Sequence, residues 1–266
     1  KQLLLSAPIK GLTVIGFDPA YRTGCKIAVI DETGKLLETT TIYPTEPQND
    51  VEGAKKALIK LIDKYNVNMF AIGNGTASRE SEEIVSQIIE GTNVEYIIVN
   101  EAGASVYSAS ELADEEFPDF SEGERSAVSI ARRLQHPLAE LVKIDPKSIG
   151  VGQYQHDMNQ KQLSESLDGV VEKVVNEVGV DLNTASYSLL NHVSGIGKAT
   201  ARNIIDFRDE NGSFTNRKDL LKVKKLGKET FEQCAGFVKI DNPDYPLDNT
   251  TIHPESYKPT LKLLDK

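Results

Sequence analysis

The sequence predicts an α/β domain on a mixed sheet, element order βββαβαβα, followed by an all-α domain. Three observations carry this. Residues 13–19, 25–31 and 36–43 are successive apolar stretches, with Asp31-Glu32-Thr33-Gly34 as a turn between the second and third. Two further apolar stretches, MFAIGNGT and VEYIIVNEAG, alternate with helical patterns. From Leu163 onward the strand signals stop, and after Gly179 short helices run to about residue 237. Three hairpin-joined strands followed by helix-linked strands fit a mixed sheet with helices on both faces.

In order along the chain, the first helix covers about 50–65, with Ala54, Ala57, Leu58, Leu61 and Ile62 on one face. The strand MFAIGNGT leads into a helix from about Ser78 to Glu90. GNGTAS at 73–78 can be read as a phosphate loop. The favoured reading is that Ser78, with Ser81 or Glu82, caps the helix and that Gly73 and Gly75 permit the turn. After VEYIIVNEAG, helices are expected near 104–116 and 122–135, broken by Phe117-Pro118. Glu122 and Glu124, and at the other end Arg132 and Arg133, complement the helix dipole. LAELVKID reads as helix and PKSIGVGQYQHDMNQ as loop. Leu163, Leu167, Val170, Val171, Val174, Val175 and Val178 then form an unbroken stripe at helical spacing.

The chain has 266 residues and a formal net charge of −10. That total argues against indiscriminate adhesion to nucleic acid, but it hides a local surplus. Residues 1–142 carry 13 Lys/Arg against 22 Asp/Glu, whereas residues 195–239 carry 10 against 6. The two cysteines, Cys25 and Cys234, are far apart and outside any metal spacing, which reads as a reducing, cytoplasmic context. The four histidines do not cluster. No apolar run is long enough to span a bilayer, so no membrane partner is expected. The opening KQLLLSAPIKG reads as the tail of an earlier helix and YKPTLKLLDK stops inside an amphipathic pattern, so a longer parent protein is expected.

The basic segment contains an internal repeat: VSGIGK at 193–198 returns as VKKLGK at 223–228. Each copy separates an apolar helix end from a new helix start. Glycines let the backbone turn tightly and approach a ligand closely. The free N–H groups of the second helix's first turn then make a phosphate cradle. Lys198 and Lys228 stand beside it, and Lys222, Lys224 and Lys225 add charge to the second copy. Such contacts follow the backbone without reading sequence. A plain helix–loop–helix with a solvated lysine face is the alternative.

The run from Leu182 to Phe237 resembles the tandem helix-hairpin-helix family. The resemblance implies RNA or DNA binding through Ser194, Gly195, Ile196, Gly197 and Lys198 in the first hairpin. In the second it implies Lys224, Lys225, Leu226, Gly227 and Lys228. Lys225 replaces the first copy's Gly195, so the second turn is expected to depend less on glycine.

The βββαβαβ order, with Asp18 ending the first strand of TVIGFDPAYRTG, resembles the RNase H-like superfamily in its YqgF/RuvC-like branch. Nucleases of that kind hold two divalent metals with three or four carboxylates. Here the matching strand ends offer Asp18, then Gly73-Asn74-Gly75, then Glu101, and the closing helix offers Arg125 and Ser126. Asp18 and Glu101 are therefore vestigial candidates. No catalytic residue and no cofactor is expected beyond weak magnesium binding at that pair, and Asp18 is read as an Asx-type turn or cap residue.

Together with AIGNGTASRE at 71–80, NEAGASVYSASELA at 100–113 and IDPKSIGVGQYQHDMNQKQLSESLDGVV at 144–171, the two halves resemble the Tex family of transcription accessory proteins. The resemblance covers essentially the whole chain. It implies the tail of a preceding helical region at 1–12 and a YqgF-like domain at 13–136. A connecting loop and helix follow at 137–180, tandem hairpins at 181–240, and the start of a further region at 241–266. It also implies RNA or DNA as ligand, the transcription machinery as partner, and a YqgF-like domain serving as scaffold rather than enzyme. A metal-dependent nuclease of the RuvC-like type and a pure protein-interaction scaffold are the alternatives.

Overall fold

The computed structural model describes residues 1–150, 152–241 and 243–264. Val151, in the predicted loop, Asn242, and Asp265 and Lys266, at the terminal amphipathic stretch, lie outside the described residues. The chain divides into two units, residues 6–153 and residues 1–5 with 154–266. The stretch 137–180, expected as one connector, is shared between them.

In the first unit, β1 (Val14–Asp18), β2 (Cys25–Ile30), β3 (Leu36–Ile42), β4 (Met69–Gly73) and β5 (Glu95–Val99) form a five-stranded sheet in the order β3-β2-β1-β4-β5. β1, β2 and β3 are antiparallel, and β4 and β5 run parallel to β1. The β2–β3 turn is set by Asp31, whose Oδ1 accepts the N–H groups of Thr33 and Lys35, with Gly34 at φ 83°. The alternation of strand side chains makes two cores. Ile15, Phe17, Ile27, Val29, Phe70 and Ile72 pack with Ala54, Leu58, Leu61 and Val85, contributed by α1 (Val51–Tyr65) and α2 (Ser78–Ile89). Val14, Ala28, Ile30 and Ala71 pack on the opposite face with Ala127, Val128, Ile130, Ala131 and Leu134.

The expected helix at 104–116 is two helices, α3 (Ala104–Ser108) and α4 (Glu111–Glu116). Ser110 interrupts it: its backbone is extended and its hydroxyl accepts the Ala113 N–H, the work of an N-cap rather than of a helix interior. α5 (Glu122–Gln135) starts on a capping box, Ser121 with Glu124. It lies hard against the sheet, because a Cβ on Gly16 would fall 2.1 Å from the Ala127 carbonyl oxygen. The glycine inside β1 is thus what lets α5 reach the end of that strand. α6 (Pro137–Leu141) follows directly.

In the second unit, α7 (Gln160–Val178) is capped by Asn159, which accepts from Lys161 and Gln162. Its apolar stripe is only partly covered. Leu163, Val171, Val174 and Val175 are buried, whereas Val170 and Val178 are exposed. Then come β6 (Val180–Asp181), α8 (Tyr187–Leu190), α9 (Lys198–Asn211), a 3-10 turn at Arg217–Lys222, α10 (Lys228–Cys234), β7 (Val238–Lys239) and α11 (Tyr257–Leu264). The all-helical expectation is corrected in one respect: β6 and β7 pair in parallel, Val180 with Val238 and Asp181 with Lys239, and close the helical unit on itself. Two-residue strands leave no periodicity to read. Among the described residues no helix is long and apolar enough to cross a membrane.

Candidate nucleic-acid interface and the carboxylate pair

The two repeats fold alike. In the first, the Ile196 N–H donates to the Val193 carbonyl, Gly195 takes φ 84°, and Gly197 at φ −86° precedes α9. In the second, the Leu226 N–H donates to the Val223 carbonyl, Lys225 takes φ 63°, and Gly227 at φ −83° precedes α10. Val193, Ile196, Val223 and Leu226 are buried, while Gly195, Gly197, Lys198 and Lys224, Lys225, Gly227, Lys228 are exposed. The apolar pair anchors each turn and leaves its tip in solvent. The second turn takes the same left-handed conformation without a glycine, and Lys225 supplies it at the steric cost a Cβ carries in that region. Glycine is further required at the first turn, where a Cβ would come 2.8 Å from the Gln233 Cβ of α10.

The hairpins brace one another. Asn203 Nδ2 of α9 donates to the Lys224 carbonyl at 2.6 Å. Arg208 Nη1 donates to the carbonyls of Leu182, Asn183 and Ala185, tying α9 to the segment after β6. Arg217, absent from every sequence-based expectation, is fully buried and bonds the carbonyls of Ile252 and Thr250 and the Tyr257 hydroxyl. Among the predicted ligand-contacting residues, Ser194 is different. Its N–H is taken by Asn176 Oδ1 at 3.1 Å and its hydroxyl donates to Glu172 Oε1.

In the first unit, Asp18 and Glu101 are brought together at the ends of β1 and β5. Among the described residues no backbone N–H donates to the Asp18 carboxyl, so it makes no Asx turn there. The Ser126 hydroxyl of α5 lies beside its carboxyl and favours the charged form, Glu101 adds a like charge and Lys26 an opposite one. Burial is the largest influence and pushes Asp18 up from its ordinary 3.8 to about 6. Glu101 sits where Gly73 and Gly75 make room. A Cβ on Gly73 would lie 2.3 Å from Glu101 Oε2, and one on Gly75 would lie 1.7 Å from Oε1. Neither glycine has positive φ, so the carboxylate and not the turn requires them. Ser78 does not cap α2 either. The N-cap is Ala77, in the left-handed region and without a side-chain bond.

Arg125 lies outside this pair. It is buried, ion-paired with Asp114, and bonded to the carbonyls of Phe117 and Ser108. Arg133, expected as a helix-end charge, is buried and donates to the carbonyls of Asn100 and Ala102, on either side of Glu101. Helix periodicity cannot show this, because the partners arrive from a loop. Among the described residues no group of three or more His, Cys, Asp or Glu could hold a metal ion.

The raised Asp18 carries a pH prediction. A carboxyl whose folded value exceeds its unfolded one contributes stability below about pH 4 and loses it as pH rises through about 6. Asp18→Asn should therefore match the parent in urea unfolding near pH 4 and exceed it by about 2 kcal/mol near pH 8. A constant difference across that range would show that Asp18 does not titrate as described.

The class these features define is an RNase H-like domain joined to tandem helix-hairpin-helix motifs. The sequence model of the Tex protein YqgF-like domain matches residues 12–135, and that of the helix-hairpin-helix motif matches residues 175–239. The chain is 58% identical to Protein tex of Bordetella pertussis over 97% of this chain and 33% of that protein. It is 55% identical to Transcriptional accessory protein Tex of Neisseria gonorrhoeae over 99% of this chain and 35% of that protein. It is 49% identical to human S1 RNA-binding domain-containing protein 1 over 99% of this chain and 32% of that protein. The chain belongs to the Tex family, and it spans about a third of the length of these relatives.

Proposed function

We propose that the chain grips the phosphate backbone of RNA or DNA through its two hairpins, without reading sequence, and that its YqgF-like domain is a scaffold rather than a nuclease. The observation that carries this reading is the repeated turn. The same backbone is built twice, once at the expense of placing Lys225 in a left-handed conformation, and both tips are exposed with lysines beside them. A turn kept only for packing has no need of an exposed cationic tip. The first hairpin offers the N–H groups of Gly195 and Gly197, and among the described residues neither has an acceptor within the chain.

The scaffold half of the proposal is supported by the donor set. Two hard cations need several oxygen ligands each. Asp18 and Glu101 supply two carboxylates, and the place expected to hold a third presents the Ser126 hydroxyl. A single weakly held magnesium ion at this pair is as far as that set extends. The names of the relatives, a transcriptional accessory protein and an S1 RNA-binding domain-containing protein, support transcription as the setting and RNA as a ligand.

The experiment is a titration of matched RNA and DNA oligomers across a salt series, with manganese present to permit cleavage. Three to four neutralised phosphates give a slope of about −3 for log K against log salt. The expected result is that slope for both polymers, with the oligomers recovered intact.

A further inference from the structure

The two hairpins share a backbone but not an electrostatic setting, and this rests on the backbone-gripping reading above. Asp168, Glu172 and Asn176 recur at four-residue intervals along α7 and so lie on one face of that helix. Asp168 and Glu172, with residues 191–197, line an open groove of about 600 Å³ beside the first hairpin. There Asn176 and Ser194 are bonded reciprocally: the Ser194 N–H donates to Asn176 Oδ1 at 3.1 Å, and Asn176 Nδ2 donates to Ser194 Oγ at 2.7 Å. The Ser194 hydroxyl is in turn spent on Glu172 Oε1. The leading amide of this hairpin is thus already occupied, and two carboxylates face a site whose own cation is Lys198.

The second hairpin carries more cations, four lysines at 222, 224, 225 and 228 beside the carboxylates of Asp219, Glu229 and Glu232. Lys224 and Lys225 are exposed and have no carboxylate partner among the described residues. Lys222 is paired with Asp219 at 2.7 Å, and Lys228 reaches Glu232 only at 3.8 Å, with both side chains in solvent.

We propose that Lys224 and Lys225 of the second hairpin make the primary phosphate contact, and that Asp168 and Glu172 on α7 hold the first hairpin below its full affinity. Phosphate approaching the first hairpin meets two like charges and a hydroxyl turned away from it. The carboxylates therefore set how much of the tandem site is used, and the arrangement favours strands that engage the second hairpin first.

The test uses the whole chain and fluorescein-labelled uridine and thymidine 12-mers, read by anisotropy at about 50 mM and about 200 mM salt. Glu172→Gln keeps an acceptor for Ser194 and removes only the charge. Combined with Asp168→Asn, it should tighten binding by roughly threefold to tenfold at the lower salt and by less at the higher, as expected when like charges near a phosphate are removed in high dielectric. Lys224→Gln with Lys225→Gln should weaken binding by roughly tenfold. Lys198→Gln should cost less in the parent chain than in the Asp168→Asn, Glu172→Gln chain. Unchanged or weaker affinity in that double variant, while the parent chain binds, overturns the assignment of Asp168 and Glu172 and leaves the gripping reading standing. A parent chain that binds neither 12-mer at the lower salt overturns both.

Discussion

A chain carrying Gly197→Asp and Lys228→Glu should lose at least about tenfold in affinity for every oligomer tested, RNA or DNA, whatever its sequence. The change is large because it places a carboxylate at each tip and removes one cation. It should leave the fold intact for reasons that can be stated position by position. Gly197 has φ −86° and ψ 171°, an extended conformation that any residue adopts, and nothing lies within 4 Å of a Cβ added there. Lys228 is 87% exposed, and its contact with Glu232 at 3.8 Å is a solvent-facing pair that contributes little. Thermal unfolding should therefore be unchanged while binding falls. Equal loss across sequences is the mark of phosphate contact. A loss confined to some sequences would point instead to base reading.

The largest effect on stability is expected at Arg217. Its side chain is fully buried, with Nη1 bonded to the Ile252 carbonyl at 2.6 Å and the Tyr257 hydroxyl at 2.8 Å, and Nη2 bonded to the Thr250 carbonyl. The Tyr257 hydroxyl accepts from Arg217 and donates to Asp248 Oδ1, and Asp248 Oδ2 accepts the Arg217 backbone N–H at 2.8 Å. Asp248 is itself 2% exposed. Arg217→Ala leaves three acceptors without donors, and a cavity. Breaking a buried charged network in this way costs about 3–5 kcal/mol. Besides the Ile240 N–H to Asp248 carbonyl bond and the His253–Glu232 contact, this side chain's bonds hold the chain after residue 245 to the hairpins, so limited proteolysis should cut within 246–257 faster in the variant than in the parent. Arg217→Met fills the volume without the donors. It should recover part of the stability and little of the protease resistance if the hydrogen bonds do the holding.

Much of this architecture is legible in the residues. Successive apolar stretches and the Asp31–Gly34 turn give the sheet, and the repeated hydrophobic–x–x–hydrophobic–Gly–Lys pattern gives both hairpins. What the residues did not disclose depends on partners distant in the chain. Lys225 in place of glycine does not reveal that its turn repeats the first, because the geometry is set by Val223 and Leu226, which bury and bond as Val193 and Ile196 do. Gly73 and Gly75 read locally as turn residues. They are glycines because Glu101, some 26 to 28 positions later, occupies the space of their side chains. Arg125 and Ser126 are adjacent in sequence, so periodicity alone could not say which would face Asp18. The helix rotates Ser126 toward it and Arg125 toward Asp114. Asp168 and Glu172 of α7 carried no expectation, because their meaning depends on the first hairpin lying beside them. The β6–β7 pair was too short to register.

The central claim is that this chain holds an anionic strand at two lysine-flanked turns and does not cut it. The direct measurement is the salt titration of the 266-residue chain with labelled RNA and DNA oligomers in manganese, followed by electrophoresis of the recovered strands. The account predicts a slope of about −3 for both polymers and strands of unchanged length. Binding that does not respond to salt, or shortened strands whose production stops in Asp18→Asn, would contradict it.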